Sequence, residues 1–389
     1  MSRLFLWNLL ELLATKQNNL TFKNGNWAFL FLIQKTHYEA CFSMKKIITS
    51  NDIKLLSKRS QKDGTWDDRK KENSELEHLF ESAINDSSIS MAINHRFGNY
   101  PKRLHECAEK LWFADRADRT TGEEVLKLSK AEFCRIRHCP ICQSRLSMRW
   151  VAKFHQIMPD LLKMHDKTQF LLLTLTVPNC EITELRVKIQ EMNEAWKRLN
   201  NRAFFKKQIL GYIRATEVTR NSKDNSAHPH FHVLLHVPNS YFNGRNYITQ
   251  NEWLELWRSV MRDNSIKIVD IRKVRESKSK TREDNLISGA LEVVKYATKH
   301  DNITAHKEWF LEYAMQVDRM RFMASGGTLK ELMADIERED LVNIEDEHTK
   351  EEKLTEDYGG RLCFKWDHKK HYRRDEKGDF IEEIPEKQT

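Results

Sequence analysis

The sequence predicts an α+β protein, with an antiparallel sheet carrying helices on one side and a small cysteine-rich segment ahead of it. Three observations carry this. From residue 170 onward, short apolar and β-branched runs alternate with amphipathic stretches. Two of those runs are neighbours separated only by a polar loop, and three of the seven cysteines fall within nine residues.

Each element has its own signal. Residues 170–177, Phe-Leu-Leu-Leu-Thr-Leu-Thr-Val, have strand length and are closed by Pro178-Asn179, which marks a core strand. Leu185, Ile189, Met192, Trp196 and Leu199 recur at three- and four-residue spacing, so a helix follows with one apolar face. Residues 211–219 and 230–237 read as two strands of a hairpin joined by the polar loop 220–227. A second amphipathic helix over 253–261, a strand over 266–271 and a helix over 286–299 complete a β-α-β-β-α-β-α order. No internal repeat or low-complexity tract interrupts it.

The length of 389 residues suits two to three domains at roughly 150 residues each. The expected organisation is a leader over 1–43, a polar peripheral segment over 44–104, the cysteine-rich segment over 105–150, the sheet domain over 165–330 and an acidic tail over 331–389. The leader differs in texture from the rest, and Met44-Lys-Lys-Ile-Ile reads as a natural start, so 1–43 is expected to be an extension from an upstream start codon. It is not read as a secretion signal, because Glu11 interrupts its apolar run and no cleavage site follows. The apolar stretch around 27–34 is far shorter than the ~20 residues that span a bilayer, so no membrane partner is expected.

Charge is distributed unevenly. The net charge is +8, but from Glu331 onward there are 11 basic and 19 acidic residues, leaving residues 1–330 with an excess of 16 positive charges. A body this basic points to a polyanion, and nucleic acid leads, because each neutralised phosphate releases counterions. Seven cysteines, an odd number with three of them within nine residues, fit a reducing, cytoplasmic compartment rather than a disulfide framework.

The most specific motif is His228-Pro-His-Phe-His232. On a strand, His230 and His232 share one face while Phe231 points into the opposite, buried side. Two neutral imidazoles side by side begin a metal site, and Glu217 on the preceding strand is the candidate third ligand. Two imidazoles and a carboxylate suit Mg²⁺ or Mn²⁺ better than a structural zinc. His228 and His236 are assigned structural or supporting places. The same histidine pattern also occurs in histidine-triad nucleotide hydrolases, so the fragment alone leaves that class open.

A second motif lies on the helix over 286–299, where Glu292 and Tyr296 are four apart and therefore on one face, with Lys299 three beyond. A phenol with a pKa near ~10 is a poor nucleophile unless a cation or a polarised phosphate is close. The third motif is Cys134-x4-Cys139-Pro-Ile-Cys142 with Cys107 upstream, which reads as a closed tetrahedral Zn²⁺ site holding a segment with little core. His105 or His138 is an alternative for one ligand, since the spacing to Cys107 is irregular. Arg135, Arg137, Arg145 and Arg149 with Trp150, and then Arg272, Lys273, Arg275, Lys278, Lys280 and Arg282, form basic clusters suited to a phosphate backbone.

Residues 170–176, His228-Pro-His-Phe-His232 and Glu292-x-x-x-Tyr296-x-x-Lys299 stand in the order and spacing of the three motifs of plasmid rolling-circle replication initiators. The chain resembles a Rep protein of the HUH endonuclease superfamily, in its single-tyrosine branch, over roughly residues 105–330. The cysteine cluster resembles the zinc-binding segment of one branch of these initiators, and Arg321-Phe-Met-Ala-Ser-Gly-Gly327 is similar, less specifically, to their closing segment.

The resemblance implies a ferredoxin- or RRM-like core in a nicking and origin-binding domain over 165–330. It implies His230, His232 and Glu217 as ligands of a catalytic divalent ion, Tyr296 as nucleophile and Glu292 as activator of a terminating water. The implied substrate is plasmid origin DNA, double- and single-stranded, in a bacterial cytoplasm. The sequence has no Gly-x-x-x-x-Gly-Lys phosphate loop, so a host helicase and DNA polymerase are the expected partners. The competing classes are a relaxase or single-strand transposase of the same superfamily, the histidine-triad hydrolase, and a zinc-dependent DNA-binding regulator without catalysis.

Overall fold

The computed structural model describes residues 65–86, 91–117, 124–165, 167–274, 285–287, 289, 293, 306–334, 362–367 and 371–379. The chain divides into two compact units, Met1–Thr49 and Ser50–Thr389, and the first lies outside the described residues. So do Glu292, Tyr296, Lys299, Arg275, Lys278, Lys280 and Arg282.

The sheet that carries the histidine motif has five antiparallel strands. They are β3 (Gln169–Thr176), β4 (Gly211–Arg220), β5 (Ala227–Val237), β6 (Val269–Lys273) and β7 (Met323–Gly326), in the spatial order β6-β3-β5-β4-β7. Before β3 come helices α1 (Trp66–Ile84), α2 (Met91–Phe97) and α3 (Tyr100–Glu106), strands β1 (Lys110–Ala117) and β2 (Glu124–Ala131), and the long helix α4 (Pro140–Met164). Helices α5 (Leu185–Asn200), α6 (Ala203–Gln208), α7 (Gln250–Met261), α8 (Lys307–Val317) and α9 (Gly327–Ala334) are interleaved with the later strands. Strands β8 (Leu362–Trp366) and β9 (Tyr372–Arg374) close the described chain.

The expected α+β class and antiparallel sheet are found. The β4–β5 hairpin is longer than its apolar pattern, with β5 beginning at Ala227, because the connecting turn is built by its own side chains. Asp224 Oδ1 accepts from the Ser226 N–H at 2.9 Å and from its hydroxyl, and Asn225 takes the left-handed conformation at φ 62°. Pro229 sits just past the last pairing of β5 with β3, Thr176 opposite His230, so its missing N–H breaks no ladder on that side.

One face of the sheet presents Leu171, Leu173 and Leu175 of β3 with Phe231, Val233 and Leu235 of β5 to α5 and α7. The helices answer with Met192, Trp196 and Leu199 and with Trp253 and Trp257. Each such side chain contributes about 1.5–3 kcal/mol of burial. Helix α7 starts at a capping box, in which the Thr249 hydroxyl accepts from the Glu252 N–H at 3.3 Å and Glu252 Oε2 accepts from the Thr249 N–H at 2.7 Å.

In addition to these helices, α4 and α9 cover part of the opposite face. There Phe154, Ile157, Met158 and Leu161 of α4, and Leu329 and Met333 of α9, pack on Phe170, Leu172, Ile213, Ala215 and Leu234. Leu286, Ile287 and Val293, in helical conformation, join the same cluster. β3 thus reads as a nearly continuous apolar run because both its sides are covered. The turn from β7 into α9 needs Gly327, whose φ is +59° and where a Cβ would lie 2.1 Å from the Leu210 carbonyl oxygen.

The cysteine-rich segment is more extensive than a knuckle. It includes a four-stranded sheet in the order β2-β1-β8-β9, tied to α1 by the Tyr372 N–H, which donates to Asp67 Oδ1 at 3.0 Å. Residues 44–104, expected to be polar and peripheral, contain α1, which buries Trp66, Lys70, Asn73, Leu76, Phe80 and Ala83 on one face. Phe80 meets the rings of Phe97, Tyr100 and Phe310 at centroid distances of 5.4, 5.2 and 5.7 Å. Likewise, part of the acidic tail is built into the fold. Leu362, Cys363, Phe364 and Tyr372 are buried, and β8 pairs with β1 in antiparallel register, Leu111 opposite Phe364.

Candidate functional site

The hairpin register puts Glu217 directly opposite His230, and Ala215 opposite His232. Strand alternation then turns Glu217, His230 and His232 to the face covered further along by α4 and α9, while Phe231 is fully buried against Trp196 and Trp257 on the other face. Both imidazoles reach the same carboxylate oxygen: Glu217 Oε2 lies 2.9 Å from His230 Nε2 and 2.7 Å from His232 Nε2. Apolar cover on this face ends at Leu234 and Ala215, the last cluster residues before the three polar groups.

The outer hydrogen bonds show what this trio suits. His230 Nδ1 lies 3.2 Å from the His228 carbonyl oxygen, which only accepts, so Nδ1 carries the proton. In a neutral ring Nε2 is then a lone pair facing a carboxylate oxygen, two acceptors set against each other. A cation between them, or a second proton, resolves that conflict. His232 Nδ1 meets the Thr174 hydroxyl at 3.2 Å, and Thr174 stands opposite it on β3. This is the outer support that a metal-ligating histidine needs to fix its free nitrogen toward an ion. Burial pushes the Glu217 carboxyl up, but the hydrogen bonds and charges of His230 and His232 outweigh it and hold it at about 2. His228, its ring 5.1 Å from that of His230, has its pKa lowered by burial and then by the His230 charge.

The four cysteines also come together. Cys107 Sγ is 3.6 Å from Cys139 Sγ and 3.7 Å from Cys142 Sγ, and Cys134 Sγ is 3.6 Å from Cys142 Sγ. These separations are far longer than a disulfide bond of about 2.05 Å. They match the edge of about 3.8 Å in a tetrahedron with metal–sulfur distances of about 2.3 Å. Backbone N–H groups point at the sulfurs: Cys134 at Cys107, Arg135 at Cys142, Ile136 at Cys134 and Cys142 at Cys139, at 3.3–3.5 Å. The chain reaches this arrangement through left-handed conformations at Ala108 and Arg135, one residue after Cys107 and Cys134. Hydrogen bonds from the other three thiols lower the pKa of Cys142, whereas burial raises that of Cys139. The donor set and spacing fit a four-thiolate ion site, and neither His105 nor His138 enters it.

The basic clusters are divided by the fold. Arg145, expected on a DNA-binding surface, is 1% exposed with its guanidinium 4.7 Å from the Phe133 ring centre, so it is not open to a phosphate. Arg137 turns inward too, 4.4 Å over the Phe322 ring and donating to the Met320 carbonyl. Arg135, Arg272 and Lys273 are exposed, and Arg149 is half-buried. Sequence reasoning missed Thr174, Lys70 and Asn73. Thr174 had a signal: it interrupts a leucine run two residues from Thr176, so both threonines share a face.

The sequence model of the family described as Replication protein (Rep_1) matches residues 125–373. A protein named Protein rep from Streptococcus pneumoniae serotype 2 is 31% identical over 321 residues, covering 80% of this chain and 93% of that protein. Protein rep of Lentilactobacillus hilgardii is 32% identical over 324 residues, 80% of this chain and 95% of the relative. Protein rep of Lactiplantibacillus plantarum is 36% identical over 284 residues, 69% and 87% respectively. No solved structure matches the chain.

Proposed function

The chain belongs to the Rep_1 family of replication proteins, and from that premise we propose that it initiates rolling-circle replication of a plasmid by nicking one strand at the origin. The observation that carries this reading is the convergence of His230 and His232 on one oxygen of Glu217. In this reading the three residues hold Mg²⁺ or Mn²⁺, and the four cysteines hold a structural Zn²⁺. The divalent ion, when bound, supplies Lewis-acid polarisation of a phosphate.

The phenol oxygen of Tyr296 attacks the scissile phosphorus. The bond from phosphorus to the 3′ oxygen breaks, a 5′-phosphotyrosyl link forms, and the released 3′-OH primes synthesis. Val293, three residues before Tyr296 in the sequence, is buried in the cluster on the face that carries Glu217, which supports pairing this helix with the trio. At termination Tyr296 is already esterified, and Glu292 takes a proton from the water that makes the second attack on the DNA strand. Lys299 offsets charge developing on the phenolate. Arg135, Arg149, Arg272, Lys273 and Arg275 contact origin DNA, double- and single-stranded. Unwinding and extension fall to a host helicase and DNA polymerase in the bacterial cytoplasm.

The test is incubation of the protein and its Tyr296→Phe variant with supercoiled or single-stranded origin DNA, in Mn²⁺ or EDTA, followed by denaturing gels. A covalent 5′ adduct that needs both Mn²⁺ and Tyr296 is expected. Binding without cleavage, with every candidate origin intact, overturns the reading in favour of a DNA-binding regulator. Glu292→Ala should nick like the parent and fail at termination, and equal loss of both steps removes the role given to Glu292.

A further inference from the structure

Lys70 is the one lysine of α1 on its buried face, and it is 2% exposed. Its ammonium donates to the carbonyl oxygens of His105 and Cys107, each at 2.7 Å, and of Leu104 at 3.4 Å. The nearby acidic groups are engaged elsewhere, Glu77 by His105 and Glu109 by Lys365. Among the described residues, no carboxylate lies within ion-pair distance of it.

An ammonium buried this way needs a compensating charge. The three carbonyls belong to the C-terminal end of α3, but the partial charge of a seven-residue helix end is small beside the desolvation of a whole cation. Glu77 and Glu109 act on it from beyond ion-pair distance, and a further source is next door. Four thiolates around a divalent cation carry a double negative charge, and that cluster is buried too. Burial lowers the Lys70 pKa, and the charges of Cys107, Glu77, Cys139 and Glu109 act against it, that of Cys107 most. One turn along α1, the Asn73 side-chain amide lies 3.1 Å from Cys139 Sγ and donates to the Leu104 carbonyl at 2.7 Å, which seats this face of α1 against the cluster.

We propose that Lys70 is a positioning residue for the four-cysteine site, supplying from α1 the buried counter-charge of a tetrathiolate-bound zinc ion. The inference rests on the reading of the cysteines as a zinc site. It places residues ahead of the cysteine-rich segment in the ion's immediate surroundings and makes zinc retention depend on α1.

The experiment compares the full chain with Lys70→Gln, Lys70→Met and Lys70→Arg. Glutamine keeps N–H donors for the carbonyls without charge, methionine removes both, and arginine keeps the charge. Two quantities are read: zinc transfer to a chromogenic chelator, and the energy of the sulfur-to-cobalt charge-transfer band after replacing zinc with Co²⁺. Loss of an outer partner of a metal ligand weakens retention by about 10-fold to 100-fold, so transfer should quicken at least ~10-fold in Lys70→Gln and Lys70→Met. The band should move to lower energy in both, because a cation near Cys107 and Cys139 holds back electrons leaving those sulfurs. Lys70→Arg should keep the parent band.

A fall in thermal stability alone, with transfer and band unchanged in Lys70→Gln, would make Lys70 a helix-end cap and overturn the proposal. If Lys70→Met does not fold, Lys70→Gln and Lys70→Arg still decide it. The two readings separate by metal content: a parent protein without bound zinc and with four titratable thiols in the cluster sinks the zinc site itself. One zinc per chain with indifferent variants sinks only the role of Lys70.

Discussion

Thr174→Val is the sharpest perturbation of the histidine–carboxylate trio, because it leaves all three candidate ligands in place. Valine keeps the branched shape that β3 requires and removes only the hydroxyl. That hydroxyl is 3.2 Å from His232 Nδ1. For His232 Nε2 to present a lone pair to an ion, Nδ1 must carry the proton, and the hydroxyl oxygen is its acceptor. With a methyl group there, Nδ1–H loses its hydroxyl acceptor and the ring loses that contact to β3. Losses of such outer partners weaken metal binding by about 10-fold to 100-fold. The contact is long and the His232 side chain is 12% exposed, so water replaces part of it. The expected effect is therefore the lower limit, about 10-fold or about 1.4 kcal/mol. Mn²⁺ titration of the full chain at pH 7, followed by electron paramagnetic resonance of the free ion, measures it directly. Glu217→Gln serves as the ligand-loss control. Binding within twofold of the parent in Thr174→Val, with binding lost in Glu217→Gln, would refute the argument that the hydroxyl orients the ring.

Two further outcomes test the fold around the sites. His236 is fully buried, with Nδ1 2.8 Å from the Thr328 hydroxyl, and burial, then the His165 charge, hold its pKa at about 3. The unfolded chain takes up that proton near the ordinary value of 6.5, so stability is complete above about 6.5 and is lost as pH falls toward 3. The loss between pH 7 and pH 5 should be about 2 kcal/mol in urea unfolding, and a His236→Gln variant with the same slope would disprove this origin for it. Ending the chain after residue 361 removes Leu362, Phe364 and Tyr372, all buried, together with the Tyr372 N–H bond to Asp67 Oδ1 at 3.0 Å. At about 1.5–3 kcal/mol each, the three side chains account for roughly 4.5–9 kcal/mol, so limited proteolysis should cut the truncated protein within β1 and β2. A digestion pattern like the parent's would show that β8 and β9 are dispensable.

What could be read from the sequence divides along physical lines. Strand alternation has a period of two and no tertiary dependence, so the shared face of His230 and His232, and Phe231 on the other, were legible in the residue order alone. The apolar spacing of α5 was legible for the same reason, and Leu185, Ile189, Met192, Trp196 and Leu199 are all buried. α1 was not legible, because two of the residues on its buried face, Lys70 and Asn73, are polar and make sense only beside α3 and the cysteines. Nor was the inward turn of Arg145 and Arg137, since a guanidinium stacked on Phe133 or Phe322 has the same composition as one facing DNA. β8 and β9 escaped because an acidic stretch dominates the average of residues 331–389, while the buried Leu362, Phe364 and Tyr372 lie beyond it. The same limit explains α4. One 25-residue helix carries Cys142 in its first turn and Phe154, Ile157, Met158 and Leu161 in its second half. The boundary expected at residue 150 falls inside this helix, whose hydrogen-bond ladder is interrupted only later, at Pro159. α4 therefore joins the thiol cluster to the sheet face that bears Glu217, His230 and His232.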